Sequence, residues 1–146
     1  MDQDFQSNLV KLMIASDPKW MKLVRGVVAC VADRMHFKRR QVKNIILAID
    51  EACTNIIKHA YLGNKEKEIL IYLRTFDDRL EILLKDFGRK GNPETFKPRA
   101  LDDIRPGGLG IHLIRRVMDE AKYDVSGEVG TELLLVKYKK KERDDS

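Results

Sequence analysis

Three short polar motifs break the apolar patterning of this chain. Glu51-Ala52-Cys53-Thr54-Asn55 falls inside a helical repeat, Asp86-Phe87-Gly88 closes an alternating run, and Gly107-Gly108-Leu109-Gly110 opens another helical repeat. For the three to act together, a fold has to bring a helix face, a strand end and a helix start to one place. Helices laid across a sheet satisfy that demand.

Periodicity supplies the elements around the motifs. Leu9, Val10, Leu12, Met13 and Ile14 predict a strand over residues 8–15, bounded by Ser16-Asp17-Pro18. Asp17 and Pro18 also suit a helix start, after which Trp20, Leu23, Val24, Val27, Val28, Val31 and Met35 recur at helical spacing. A second helix, about residues 40–61, carries Val42, Ile45, Ile46, Ile49, Cys53, Ile56, Ile57 and Ala60 on one broad face and stops at Gly63-Asn64. Residues 68–74 and 79–85 read as an antiparallel pair turning at Asp77-Asp78.

Residues 89–106 hold three prolines, many charges and no sustained period, and so read as a functional lid. A third helix follows with Ile111, Leu113, Ile114, Val117 and Met118, then a hairpin of residues 123–126 and 131–138. The order β-α-α-β-β-lid-α-β-β fits an α/β (α+β) two-layer sandwich. Its sheet is expected to be mixed but mostly antiparallel, with three helices on one face.

The 146 residues suffice for one domain, expected to span 1–146 with a flexible charged tail from about residue 139. Cys30 and Cys53 lie in helical patterns without zinc-ligand spacing, so both are expected to be buried, reduced thiols. No apolar run reaches bilayer length, and the acidic start Met1-Asp2-Gln3-Asp4 lacks the order of a secretory signal. The expectation is a cytoplasmic protein without membrane contact. A net charge of +5 would attract anions, but no nucleic-acid-reading module or aromatic stacking platform accompanies it.

Each motif has a plain reading beside a chemical one. Glu51 and Asn55 are four residues apart on one helix face, as solvated polar pairs commonly are. An Asn carbonyl is also a fitting oxygen ligand for Mg²⁺, and a carboxylate one turn away could orient or deprotonate an attacking hydroxyl. Asp86 could simply end a strand, or accept a hydrogen bond from the exocyclic amine of a base, with Gly88 letting the chain pass close to a flat ring. The glycines at 107, 108 and 110 make a tight turn, and at a helix start their free N–H groups favour an anion.

Lys90, Lys97, Arg99 and Arg105 could screen phosphate charge. No Gly-Lys-Ser/Thr is present, which excludes a P-loop. The Asp-Phe-Gly of eukaryotic-type protein kinases is excluded by the missing His-Arg-Asp segment, upstream glycine-rich loop and strand lysine. Together the three motifs read as an ATP site.

At these residues the chain resembles the GHKL ATPase superfamily, with its Bergerat ATP-binding fold, and within it the bacterial anti-sigma factor serine/threonine kinases. Glu51 to Asn55 resembles the N-box of that family, and Asp86-Phe87-Gly88 and Gly108-Leu109-Gly110 its two glycine boxes. Gly130-Thr131 resembles the late Gly-Thr pair whose hydroxyl supports the aspartate of the first box. A second glycine after the first box stands at Gly91, one residue later than in many members.

The resemblance implies Glu51 as general base, Asn55 as Mg²⁺ ligand and Asp86 as acceptor of the adenine amine. It also implies Gly88 beside the base, Gly107, Gly108 and Gly110 around the phosphates, and Thr131 behind Asp86. Arg25 falls where members place a partner-binding arginine. The implied activity is ATP- and Mg-dependent phosphorylation of a serine or threonine on a STAS-domain anti-sigma factor antagonist, joined to sequestration of a sigma factor by a homodimer. The alternative is a nucleotide-binding partner-switch module without significant kinase activity.

Overall fold

The structure is a computed structural model, and it describes residues 8–90 and 108–139. Five strands, β1 (Leu9–Ala15), β2 (Glu68–Thr75), β3 (Arg79–Asp86), β4 (Glu120–Asp124) and β5 (Thr131–Tyr138), form one sheet in the order β1-β2-β3-β5-β4. Each pairing is antiparallel, so the described sheet has no parallel component. Three helices accompany it: α1 (Met21–Arg34), α2 (Arg39–Asn55) and α3 (Gly108–Val117).

Alternation decides the layers. Ile69, Ile71 and Leu73 of β2, Leu80, Ile82 and Leu84 of β3, and Leu133 and Leu135 of β5 point to one face. They form a single core with Val24 and Val28 of α1, Ile45, Ile49 and Cys53 of α2, and Ile114 of α3. The helices thus cover one face of the sheet, as the Bergerat pattern requires. Leu70, Tyr72, Leu83 and Leu134, at the alternate positions, are half-buried. The next residue in phase after Leu80, Ile82 and Leu84 is Asp86, so the same alternation carries a carboxylate inward at the end of β3.

Several local details differ from the periodicity reading. Asp17 caps a 3-10 turn at Pro18–Trp20, accepting from the Lys19 N–H at 3.0 Å, before α1 begins. The long second helix is α-helical only to Asn55 and continues as a π-helical turn over Ile56–Ala60. The strand expected at residues 123–126 lies earlier, at Glu120–Asp124, because its ladder with β5 fixes it. Cys53 is buried but Cys30 is exposed: Val24, Val28 and Ala32 define the inward stripe of α1, and Cys30 lies off it.

Tertiary hydrogen bonds fix both ends of the second helix region. At its start Gln41 accepts from the Lys38 N–H and donates to the carbonyls of Tyr138 and Lys139, each at 3.2 Å. Lys139, at the start of the expected tail, also donates its N–H to Asp78 at 2.9 Å. Residues 140–146 and most of the expected lid, 91–106, lie outside the described residues, and so do Gly107 and, within the lid, Lys97, Arg99 and Arg105.

Candidate nucleotide site

Glu51 and Asn55 occupy the last turns of α2, both half-buried, with Ala52 and Cys53 between them turned into the core. Burial pushes the Cys53 thiol up to about 12, and the nearby Asp50 carboxylate adds to it. This cysteine is a packing residue. The Glu51 carboxylate also raises the Tyr123 phenol, which burial first and foremost pushes up to about 12, while Arg115 pulls it down. The end of α2 and the last turn of α3 therefore both act electrostatically on Tyr123 of β4. Sequence patterning does not single out Tyr123 or Arg115.

Asp86 is only 4 % exposed. Its carboxylate accepts from the Gly88 N–H at 3.0 Å and from the Thr131 backbone N–H. Burial outweighs these two donors and holds the carboxyl above the ordinary 3.8. Thr131, itself buried, is the direct partner of Asp86 in the β3–β5 ladder. Its support of the carboxylate runs through the backbone.

Two glycines frame this acid closely. Gly130 has φ +77, and a Cβ there would collide with the Asp86 carbonyl oxygen and come within 2.8 Å of the Phe87 Cα. A Cβ on Gly88 would overlap the Ala60 carbonyl oxygen and stand 2.7 Å from the Tyr61 ring. Both positions accept only glycine, for reasons of contact that the expected close approach to a ring does not include.

Gly108 and Gly110 are in the first turn of α3, where backbone N–H groups have no intrahelical partner. An anion is favoured there. Arg25 lies on α1 and pairs with Asp50 of α2 at 3.0 Å, directly before Glu51 in sequence. The structure thus joins Glu51 and Asn55 on one helix and gathers Asp86, Gly88 and Thr131 at one strand end. Arg25 stands apart, on the neighbouring helix.

This fold, with a buried acid at a strand end and a glycine turn opening a helix, defines a class of ATP-binding domains. The histidine kinase-like ATPase domain family matches residues 14–137, and the chain belongs to that family. Among curated relatives it is 32% identical over 142 residues to the serine-protein kinase RsbW of Bacillus mycoides (strain KBAB4), covering 92% of this chain and 87% of that one. It is 29% identical over 147 residues to the serine-protein kinase RsbW of Bacillus subtilis (strain 168), covering 95% and 91%.

A crystal structure of RsbU and RsbW domains from Mycobacterium tuberculosis superposes with a TM-score of 0.65 at 16% identity, which shows a shared fold. That match covers 88% of this chain and 31% of the other. Membership in the family makes this a nucleotide-binding domain. No helix among the described residues is long and apolar enough to cross a membrane.

Proposed function

We propose that this chain is an ATP- and Mg-dependent protein kinase that phosphorylates a serine or threonine of a STAS-domain anti-sigma factor antagonist and, in a second role, sequesters a sigma factor. The observation that carries the proposal is the buried Asp86 carboxylate, kept at a strand end by two backbone donors despite the cost of its burial. A hydrogen-bond donor such as the adenine amine would offset that cost.

The residues present fit the rest of the site. Asn55 would hold Mg²⁺, which supplies charge neutralisation at the phosphates when bound, and Gly107, Gly108 and Gly110 would receive phosphate oxygens at the start of α3. Gly88 would flank the base. Glu51, one turn from Asn55, would accept the proton of the acceptor hydroxyl as it attacks the γ-phosphorus. Arg25, beside Asp50, would meet protein partners. The working form is a cytoplasmic homodimer.

The test is transfer of label from γ-labelled ATP to a purified STAS-domain antagonist, with and without Mg²⁺. Mg-dependent labelling of one serine or threonine, lost in Glu51→Ala, is the expected result. ATP binding without labelling of any cognate antagonist would instead assign a nucleotide-gated binding module.

A further inference from the structure

The helical region that ends in Asn55 and the turn that carries Asp86 are joined by one side chain, Tyr61. It follows the π-helical turn, donating its own N–H to the Ile56 carbonyl at 3.0 Å, and is 6 % exposed. Its hydroxyl accepts from the Phe87 N–H at 2.8 Å and donates to the Glu68 carbonyl at the start of β2. Its ring packs where a Gly88 side chain would be, and the adjacent Ala60 carbonyl accepts from the Arg89 N–H at 2.9 Å. Residues 87, 88 and 89 therefore each rest on Ala60 or Tyr61.

Phe87 contributes the amide that follows Asp86, so the Tyr61 hydroxyl holds the Asp86–Phe87 peptide next to the Cα from which the carboxylate projects. With the Gly88 and Thr131 donors, this leaves the carboxylate little freedom to turn. Held in that way, a carboxylate distinguishes two purines by sign. Adenine offers an amine donor where guanine offers a carbonyl acceptor, and an acceptor facing an immobile carboxylate is left unpaired.

We propose that Tyr61 is a positioning residue that sets the adenine selectivity of this site by fixing the turn bearing Asp86. The inference rests on the reading of Asp86 as the base acceptor. A turn released from Tyr61 lets the carboxylate swing and water enter. ATP then loses its aligned acceptor, while GTP is relieved of its mismatch.

The experiment is calorimetric titration of Tyr61→Phe and wild type with Mg-ATP and Mg-GTP, beside Asp86→Asn as the control for the site itself. Tyr61→Phe keeps the ring and removes only the hydroxyl. ATP affinity should fall about tenfold, the worth of one well-aligned hydrogen bond to a charged acceptor, with GTP affinity unchanged or higher, so the ATP to GTP ratio drops by at least about that factor. Equal weakening of both nucleotides, or an unchanged ratio, would overturn the proposal by reducing Tyr61 to a packing residue.

Wild-type ATP affinity in Asp86→Asn would overturn the underlying site assignment instead, and the proposal with it. Amide exchange at Phe87 gives a check that needs no variant. The amide should be protected in nucleotide-free wild type, and rapid exchange there overturns the anchoring role.

Discussion

Thr131 stands directly opposite Asp86 in the β3–β5 ladder, and its backbone N–H joins that of Gly88 in pointing at the Asp86 carboxylate. Burial nevertheless keeps this acid above the ordinary 3.8. In the nucleotide-free protein the folded state therefore binds the proton more tightly than the unfolded chain. The stability contributed by this group is fully present below 3.8 and is lost as pH rises through the folded pKa. Urea denaturation should show wild type gaining on Asp86→Asn as pH falls from 7 toward 4. A difference independent of pH would contradict the burial argument.

ATP binding should follow the opposite course. With the ionised carboxylate as the proposed acceptor, affinity should decline as pH falls through its raised pKa, and Asp86→Asn should bind at least about tenfold more weakly at neutral pH. Titrations at several pH values, with Asp86→Asn losing the pH dependence assigned to this group, check both statements.

Glu51→Ala should leave ATP affinity within about twofold and lower phosphoryl transfer by about 10²- to 10⁴-fold, the range of a positioned general base. Single-turnover transfer to the antagonist separates the two effects. An unchanged transfer rate would remove Glu51 from the chemistry.

Gly130→Ala should cost at least about 2 kcal/mol, because left-handed backbone is strained for alanine and its Cβ would meet the Asp86 and Phe87 backbone. Gly127→Ala, with no atom within 4 Å of an added Cβ, should stay within about 0.5 kcal/mol of wild type. Equilibrium unfolding of the pair measures the contrast at two nearby glycines.

Arg25→Ala breaks a half-exposed ion pair to Asp50, so it should change fold stability by less than about 1 kcal/mol and leave ATP affinity intact. Capture of the sigma factor or the antagonist should weaken severalfold in a pull-down quantified by calorimetry. Undiminished capture would place the partner surface elsewhere.

Strong periodicity made much of this architecture readable. Leu80, Ile82 and Leu84 announce a strand and also phase Asp86 inward, while Val42, Ile45, Ile49 and Cys53 announce the helix under Glu51. The π turn at Ile56–Ala60 was not readable, since Ile56, Ile57 and Ala60 also fit the apolar face of a continuing α-helix. Strand β4, Glu-Ala-Lys-Tyr-Asp, has little apolar alternation and owes its place to pairing with β5. The partnership of Tyr61 with Phe87 spans 26 residues, a separation no local pattern encodes. Gly130 was legible as part of a pair, but its contact with Asp86 emerges only when β5 is laid beside β3.

The second helix region is clamped at both extremities, by Gln41 to the carbonyls of Tyr138 and Lys139 and by Ala60 and Tyr61 to the amides of Arg89 and Phe87. A rod secured in that manner resists sliding along its own axis, because travel either way severs bonds at both terminals at once. If partners dock at Arg25 as proposed, they would meet this rod near Asp50, one residue from Glu51. Under the proposed function, an effect of such docking on the nucleotide would have to pass through the Arg25–Asp50 pairing, since the clamped rod itself is held in place.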